Sequence, residues 1–269
     1  MVDRTRYGPW ALVVGGSEGV GAEFATQLAA DGFDLVLLAR KPGPLEETAA
    51  ACRALGADVR TLAVDLTQVD AVPQVLARTA DLEVGLLILN AGANTHSAEF
   101  LDGDLDSFGQ VITLNITAPL ALVHHYGAAM RGRGRGGIVL VGSMASYMGS
   151  THHTVYGGVK AFSRIFAESL WLELRDHGVD VLELVLGVTR TPAMERVGLD
   201  FEVPGMKVAE PADVAREGLA HLADGPVHIA AGNEEYLAMR THPDRAKVVL
   251  GAHQFISKLM GLDHGAADR

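Results

Sequence analysis

Tyr156 and Lys160 stand four residues apart in Tyr156-Gly-Gly-Val-Lys160, at the head of a segment whose apolar residues recur with helical spacing to about Asp176. On a helix that spacing projects both side chains from one face. A phenol with an ordinary pKa of about 10 exchanges protons poorly near neutrality, but an adjacent ammonium stabilises the phenolate and brings it toward working pH. The pair is therefore a candidate general acid/base. Standing alone, such a pair is most often a solvated helix face, so its weight depends on its company. Thirteen residues before Tyr156, Ser143 ends the apolar run Ile138-Val-Leu-Val-Gly-Ser143. A hydroxyl at the carboxyl edge of a sheet can donate a hydrogen bond to a substrate oxygen as charge develops there. A cap or turn serine is the plain alternative.

A second cluster suits a phosphate. Gly15-Gly16-Ser17-Glu18-Gly19-Val20-Gly21 follows an apolar strand and leads into Ala22–Ala30, which has good helix propensity. Glycines there permit positive φ and let the backbone approach a pyrophosphate, whose charge is favoured at a helix N-terminus. The next strand ends Leu37-Leu38-Ala39-Arg40-Lys41. Folds of this kind place an acid at that point to bind the free 2′-hydroxyl of NAD, or a base to meet the 2′-phosphate of NADP. The planar donors of Arg40, with Lys41 beside it, favour NADP(H) and leave NAD(H) as the second choice. Glu18 works against this, because its charge would lie near the same phosphate.

These groups need a frame. Short apolar runs near Trp10–Val14, Phe33–Ala39, Val59–Val64, Val84–Leu89, Ile138–Val141, Val179–Leu186 and Val227–Ala231 alternate with helical segments. That rhythm predicts repeated βαβ units. Runs such as Leu35-Val-Leu-Leu38 are apolar on both faces, as strands covered by helices on two sides must be. The expectation is a three-layer α/β fold, doubly wound around a predominantly parallel seven-stranded sheet, with residues 1–269 forming one domain. Residues 189–210 mix Pro192, Gly198, Pro204 and Gly205 with Met194, Leu199, Phe201, Val203 and Met206, which suits an irregular apolar lid. A tail over 233–269 holds helices expected at Asn233–Arg240 and Pro243–Met260, with apolar Val248, Val249, Phe255, Ile256, Leu259 and Met260.

Composition narrows the function classes. The net charge of -11 disfavours nucleic acid, and 48% hydrophobic content excludes global disorder. The single cysteine, Cys52, can form neither an internal disulfide nor a zinc cluster, which suits a reducing cytoplasm. No apolar stretch reaches the roughly 18 residues of a membrane span, and the N-terminus lacks a signal-peptide core.

In combination the motifs resemble the short-chain dehydrogenase/reductase family over about residues 8 to 232. Its TGxxxGxG loop is similar to Val14-Gly15-Gly16-Ser17-Glu18-Gly19-Val20-Gly21, and its acid beside the adenine to Asp65 in Val64-Asp65-Leu66. Its NAG motif is Asn90-Ala91-Gly92, its active-site asparagine Asn115, its serine Ser143 and its YxxxK pair Tyr156 and Lys160. The resemblance implies a Rossmann-type NAD(P)-dependent oxidoreductase. Tyr156 would exchange the proton of a carbonyl or alcohol oxygen, Ser143 would orient that oxygen, Lys160 would also hold the nicotinamide ribose, and Asn115 would support a water. Leu186-Gly187-Val188-Thr189-Arg190-Thr191 is similar to the PGxVxT segment, placing Gly187, Thr189 and Thr191 against the cofactor. Two departures, Val14 for threonine and Leu186 for proline, put loop geometry in question.

The remaining features have ordinary explanations. Arg131-Gly-Arg-Gly-Arg-Gly-Gly137 is a basic loop between a helix and a strand, and the histidine pairs His124-His125 and His152-His153 lack the carboxylate or thiol that would complete a metal set. His96, His152, His153, Met144, Tyr147 and Met148 are candidate substrate-pocket residues. The leading expectation is an NADP(H)-dependent reductase or dehydrogenase acting on a fairly apolar carbonyl or alcohol, in a homodimer or homotetramer. A 3-oxoacyl-thioester reductase, with Arg131, Arg133 and Arg135 docking an acidic carrier, is the first alternative. A non-catalytic dinucleotide-binding or sensing protein is the second.

Overall fold

The computed structural model describes residues 1–203 and 205–259, with side chains through Gln254. After α1 (Arg4–Tyr7) come β1 (Trp10–Val14), α2 (Gly19–Ala30), β2 (Asp34–Ala39), α3 (Pro42–Ala54), β3 (Val59–Ala63), α4 (Ala71–Thr79) and β4 (Val84–Leu89). The chain continues through α5 (Leu105–Ile112), α6 (Ala118–Arg133), β5 (Gly136–Ser143), α7 (Thr154–Leu174) and β6 (Val179–Leu186). It ends with α8 (Pro192–Arg196), α9 (Pro211–Ala220), β7 (Val227–Ile229), α10 (Glu234–Arg240) and α11 (Arg245–Leu259). Every pairing is parallel, in the order β3-β2-β1-β4-β5-β6-β7. The order reverses between β1 and β4, and the carboxyl ends of those strands border the crevice where doubly wound folds hold ligands.

The alternation of side chains along each strand fills two separate cores. Val13, Leu37, Leu182 and Leu184 meet Phe24 and Leu28 of α2, Leu45 of α3 and Val214 of α9. On the other face Leu12, Leu38, Leu87, Leu140 and Val181 meet Val75 of α4, Leu122 and Tyr126 of α6, and Ala167 and Leu174 of α7. Each fully buried leucine or phenylalanine in these layers contributes about 1.5–3 kcal/mol. Together they fix the loops at the carboxyl edge to a rigid sheet.

Strand and helix bounds differ from the sequence expectation where glycine misleads. β5 extends to Gly136 and Ser143, which pair with Val179 and Leu186 of β6, and Gly137 packs so closely that a Cβ there would lie 2.9 Å from the Tyr7 ring. The arginine-glycine tract is not one loop. Arg131 and Arg133 lie in the last turn of α6, and Gly134, at φ 71, caps it in the left-handed conformation. The segment expected to be irregular after Thr191 starts with a helix, α8, because Thr191 accepts a capping bond from Met194 N and Pro192 supplies a preset φ. The tail helices α10 and α11 lie close to their expected bounds. Pro204, and the side chains of Phe255, Ile256, Leu259 and Met260, fall outside the described residues. Among the described residues no helix is long and apolar enough to cross a membrane.

Candidate active site

The glycine turn is tied down by backbone and one amide. Gly15 N and Gly16 N donate to Leu38 O at 2.7 and 3.1 Å, and Asn90 Nδ2 donates to Gly15 O at 2.9 Å. Asn90 N and Ala91 N both donate to Val14 O. These bonds hold the loop although valine replaces the threonine hydroxyl. Gly15 and Gly19 have φ of 87 and 56, and a Cβ on Gly21 would lie 1.9 Å from Gly15 O. Val20 is buried beneath, and Ser17 O accepts from Thr48 Oγ1 at 3.1 Å. Glu18, the N-cap of α2, makes no side-chain capping bond, so the first N–H groups of α2 are open to an anion in the crevice. This cradle fits a pyrophosphate.

Glu18 instead reaches across the crevice. Its carboxylate accepts from Arg196 of α8, at 2.9 Å for Nη1, and that bond holds it below the usual carboxylate range, with smaller pulls from Lys41 and Arg40. The charge expected to oppose a phosphate is thus paired. Arg40 and Lys41 are exposed just past β2, and neither enters an ion pair among the described residues. Asp65, past β3, accepts from Thr67 N and Oγ1 at 3.0 and 2.9 Å, next to buried Leu66.

Three segments meet below the strand ends. Lys160, buried in α7, donates from Nζ to Val141 O at 3.0 Å, and the same Nζ lies 5.8 Å from the centre of the Tyr156 ring. Asn115 sits in a π-helical turn, Thr113–Thr117, between α5 and α6; such turns recur at functional sites. Its Nδ2 donates to Val111 O at 2.9 Å and Ala93 O at 3.2 Å, leaving Oδ1 buried with no partner. Gly92 closes the group, since a Cβ there would lie 2.8 Å from both Asn115 Oδ1 and Lys160 Nζ. Asn115, Val141, Lys160 and Ser163 line a cavity of about 20 Å³.

Ser143 fills the plain expected role, that of a turn cap. It caps the 3-10 turn Met144–Tyr147 by accepting from Ala145 N at 3.1 Å, and its own proton remains free to donate. His153 stands 6.3 Å from Tyr156, ring to ring, whereas His96 is held against Phe108 at 4.8 Å and accepts from Asp104 N. His152 has φ 63, a strained value for a bulky residue, and its carbonyl accepts from Ser97 Oγ at 3.2 Å. His124 and His125 are exposed on α6, and among the described residues no cluster of three metal-ligating side chains occurs.

On the far side, Thr191 faces the glycine loop, with its Cγ2 3.0 Å from where a Cβ of Gly19 would be. Thr189 is buried, with its backbone bridged to Ala209. Gly187 admits Asn233, whose Oδ1 would lie 2.0 Å from a Cβ there and whose Nδ2 donates to Ala230 O. The tail also grips the serine turn: Arg240 Nη1 donates to Met144 O at 2.6 Å, and Arg245 Nη2 to Tyr147 O at 2.8 Å. Sequence reasoning missed Arg196, whose partner is 178 residues away, and Asn233, read only as a helix start. It also missed Glu183, although an acid inside the apolar run Val179–Leu186 was a visible signal.

Comparison with known proteins agrees with this geometry. The profile of the short chain dehydrogenase family matches residues 9–200. A very-long-chain 3-oxoacyl-CoA reductase of Podospora anserina is 36% identical over 219 residues, which cover 79% of this chain and 64% of that protein. The chain thus spans less than two thirds of that relative's length. A 7beta-hydroxysteroid dehydrogenase of Clostridium sardiniense is 28% identical over 91% of this chain and 95% of its own. Among solved structures, one described for 7beta-hydroxysteroid dehydrogenase stereoselectivity superposes with a TM-score of 0.86 at 26% identity, covering 93% of this chain and 99% of that one. A short-chain dehydrogenase from Sphingobium yanoikuyae in complex with NADPH gives 0.77 at 30% identity, covering 97% and 98%. With the family profile covering well over half of the sequence and the sheet, glycine turn and tyrosine-lysine helix in the matching order, the chain belongs to the short-chain dehydrogenase family.

Proposed function

We propose that the chain is an NADP(H)-dependent oxidoreductase that interconverts a ketone and a secondary alcohol on a fairly apolar small molecule. The observation that carries this reading is the buried Lys160 ammonium, fixed by Val141 O and set 5.8 Å from the Tyr156 ring. In that place it stabilises the phenolate that forms when Tyr156 gives its proton to a carbonyl oxygen, and Tyr156 takes the proton back in the reverse direction. Ser143 donates to the same oxygen and orients it. Asn115 Oδ1 and Lys160 border a cavity large enough for one water, through which the proton exchanges with solvent. The dinucleotide supplies the hydride. Gly15, Gly19 and Gly21 with the start of α2 hold its pyrophosphate. Asp65, Leu66, Asn90, Ala91 and Gly92 flank its adenine and ribose side, and Gly187, Thr189 and Thr191 the nicotinamide side. Arg40 and Lys41 receive the 2′-phosphate, which gives the preference for NADP(H).

The apolar lid side chains favour the substrate class. Met194 is exposed and Leu199, Phe201, Val203 and Met206 are only half-buried, so their apolar surface is available to a ligand. Relatives named for a hydroxysteroid match this chain nearly end to end, which supports a compact polycyclic or bulky ketone. A 3-oxoacyl thioester is the second reading, supported by the 36% identical relative. An acidic carrier docking on the arginine tract is not favoured: Arg133 and Arg135 are engaged by Glu83 and Val84 O, at the end of the sheet opposite the site. Exposed Phe162, Ile165 and Leu172 on α7, with Ile112 on α5, suit pairing with a second copy, which light scattering would register as a dimer or tetramer. Buried, unpaired Cys52 suits the cytoplasm.

The test is a panel of a steroid ring ketone, a bulky aryl ketone and a 3-oxoacyl-CoA with NADPH, run on wild type and Tyr156→Phe. Wild type should oxidise NADPH with a ketone, and Tyr156→Phe should lose about 10²–10⁴ in kcat while still binding NADPH. Retained turnover in that variant contradicts the assignment.

A further inference from the structure

Beneath the tyrosine-lysine pair lies a carboxyl that the reaction above does not use. Glu183, on β6, is fully buried, and neither of its carboxylate oxygens makes a hydrogen bond of good geometry, the Ser163 hydroxyl facing it only loosely. A buried polar group left in that state is costly and calls for a reason. β5 makes room for it with Gly142, where a Cβ would lie 2.5 Å from Glu183 Oε1, so the strand that ends in Ser143 carries a glycine where this acid needs space. The next residue back on β5, Val141, supplies the carbonyl that anchors Lys160 Nζ. The acid and the ammonium therefore flank one peptide unit of β5.

The groups facing Glu183 among the described residues are few. α7 presents Lys160, Arg164, Glu168 and the Ser163 hydroxyl, and the turn after Ser143 presents Tyr147. The strand neighbours, Leu140 of β5 and Val227 of β7, do not titrate. Arg164 is committed elsewhere, donating to Glu168 at 2.9 Å and covering the Tyr147 ring at 4.9 Å. Lys160 is the leading opposite charge. Burial raises the Glu183 carboxyl to about 7, against the downward pulls of Lys160, Arg164 and Ser163.

We propose that Glu183 is a positioning residue for the acid/base pair: its carboxylate, acting through Lys160, tempers the field that the ammonium exerts on Tyr156 and so sets the pH at which the phenol exchanges its proton. This rests on the Tyr156–Lys160 reading above. A negative charge beside Lys160 offsets part of its positive field, so removing that charge makes the phenolate easier to form. The sign for stability is opposite to that of a paired acid. A carboxyl whose folded pKa is raised binds more protons folded than unfolded, so wild-type stability falls as pH climbs from the ordinary carboxylate value to about 7 and is then level. A neutral replacement removes that loss.

The experiment titrates the ultraviolet phenolate signal of the full chain with NADP+ bound, taking the same chain carrying Tyr156→Phe as blank, in wild type, Glu183→Gln, Glu183→Leu and Glu183→Asp. The Tyr156 midpoint should fall by about half a pH unit or more in both neutral variants and return toward wild type in Glu183→Asp. Melting temperature at alkaline pH should rise in the neutral variants. An unmoved midpoint in a folded neutral variant overturns the proposal, and so does failure of both neutral variants to fold, which would make the acid purely structural. If wild type shows no phenolate signal attributable to Tyr156, the acid/base reading itself fails. A signal with a fixed midpoint removes only the role of Glu183.

Discussion

Gly92→Ala is the sharpest probe of how tightly the proposed acid/base group is built. The added methyl carbon would lie 2.8 Å from Asn115 Oδ1 and 2.8 Å from Lys160 Nζ, whereas ordinary contact starts at 3.4 Å. Both polar groups must therefore retreat by about half an ångström. Asn115 has little freedom, because its Nδ2 is bonded to Val111 O and Ala93 O. Lys160 must yield, and a shift of that size carries its 3.0 Å bond to Val141 O toward the limit of hydrogen-bond range. A buried bond from a charged donor is worth about 1.5–3 kcal/mol, which sets the expected fall in kcat at about tenfold to hundredfold. KM for the ketone should move less than kcat, since the lost interaction acts where charge develops. The assay is steady-state NADPH oxidation, with a melting curve to show that the variant is folded. Gly43→Ala is the control, because nothing lies within 4 Å of its added carbon. A folded Gly92→Ala enzyme with a kcat within about threefold of wild type would refute the reasoning.

Arg40→Asp should move cofactor preference toward NAD(H) by about tenfold or more in the ratio of kcat/KM values, by replacing phosphate donors with a ribose acceptor; an unchanged ratio would remove Arg40 from the phosphate site. Arg196→Ala breaks an exposed ion pair, so the melting temperature should shift by no more than about 3 °C. The same change unties α8 from the glycine loop, and stopped-flow displacement should show NADPH leaving up to about fivefold faster, an effect that high salt reproduces in wild type. An off-rate equal to that of wild type would mean that the pair does not hold the crevice shut.

The strands were legible because most are short apolar runs, and β1, β4 and β6 begin and end where those runs do. The placement of Tyr156 and Lys160 on one helix and of Ser143 at the end of a strand was legible because it depends only on local spacing. The π-turn at Asn115 was not, since no residue type specifies one extra carbonyl in a helical repeat, and its effect on Oδ1 depends on a glycine from another segment. Glu18 was read as opposing a phosphate because its partner, Arg196, arrives only when the chain after β6 folds back over the crevice. Gly136 and Gly137 resemble loop in the sequence for a similar reason, because only the packed Met130 side chain against the first and the Tyr7 ring against the second show why a strand needs them.

The grip of Arg240 and Arg245 on the backbone of Met144 and Tyr147 has an evolutionary corollary. Both arginines lie beyond residue 200, where the match to the family profile ends, yet they hold the carbonyls of the turn that Ser143 begins. A substitution in the C-terminal helices is therefore expected to shift the turn that Ser143 begins without any change in the sheet.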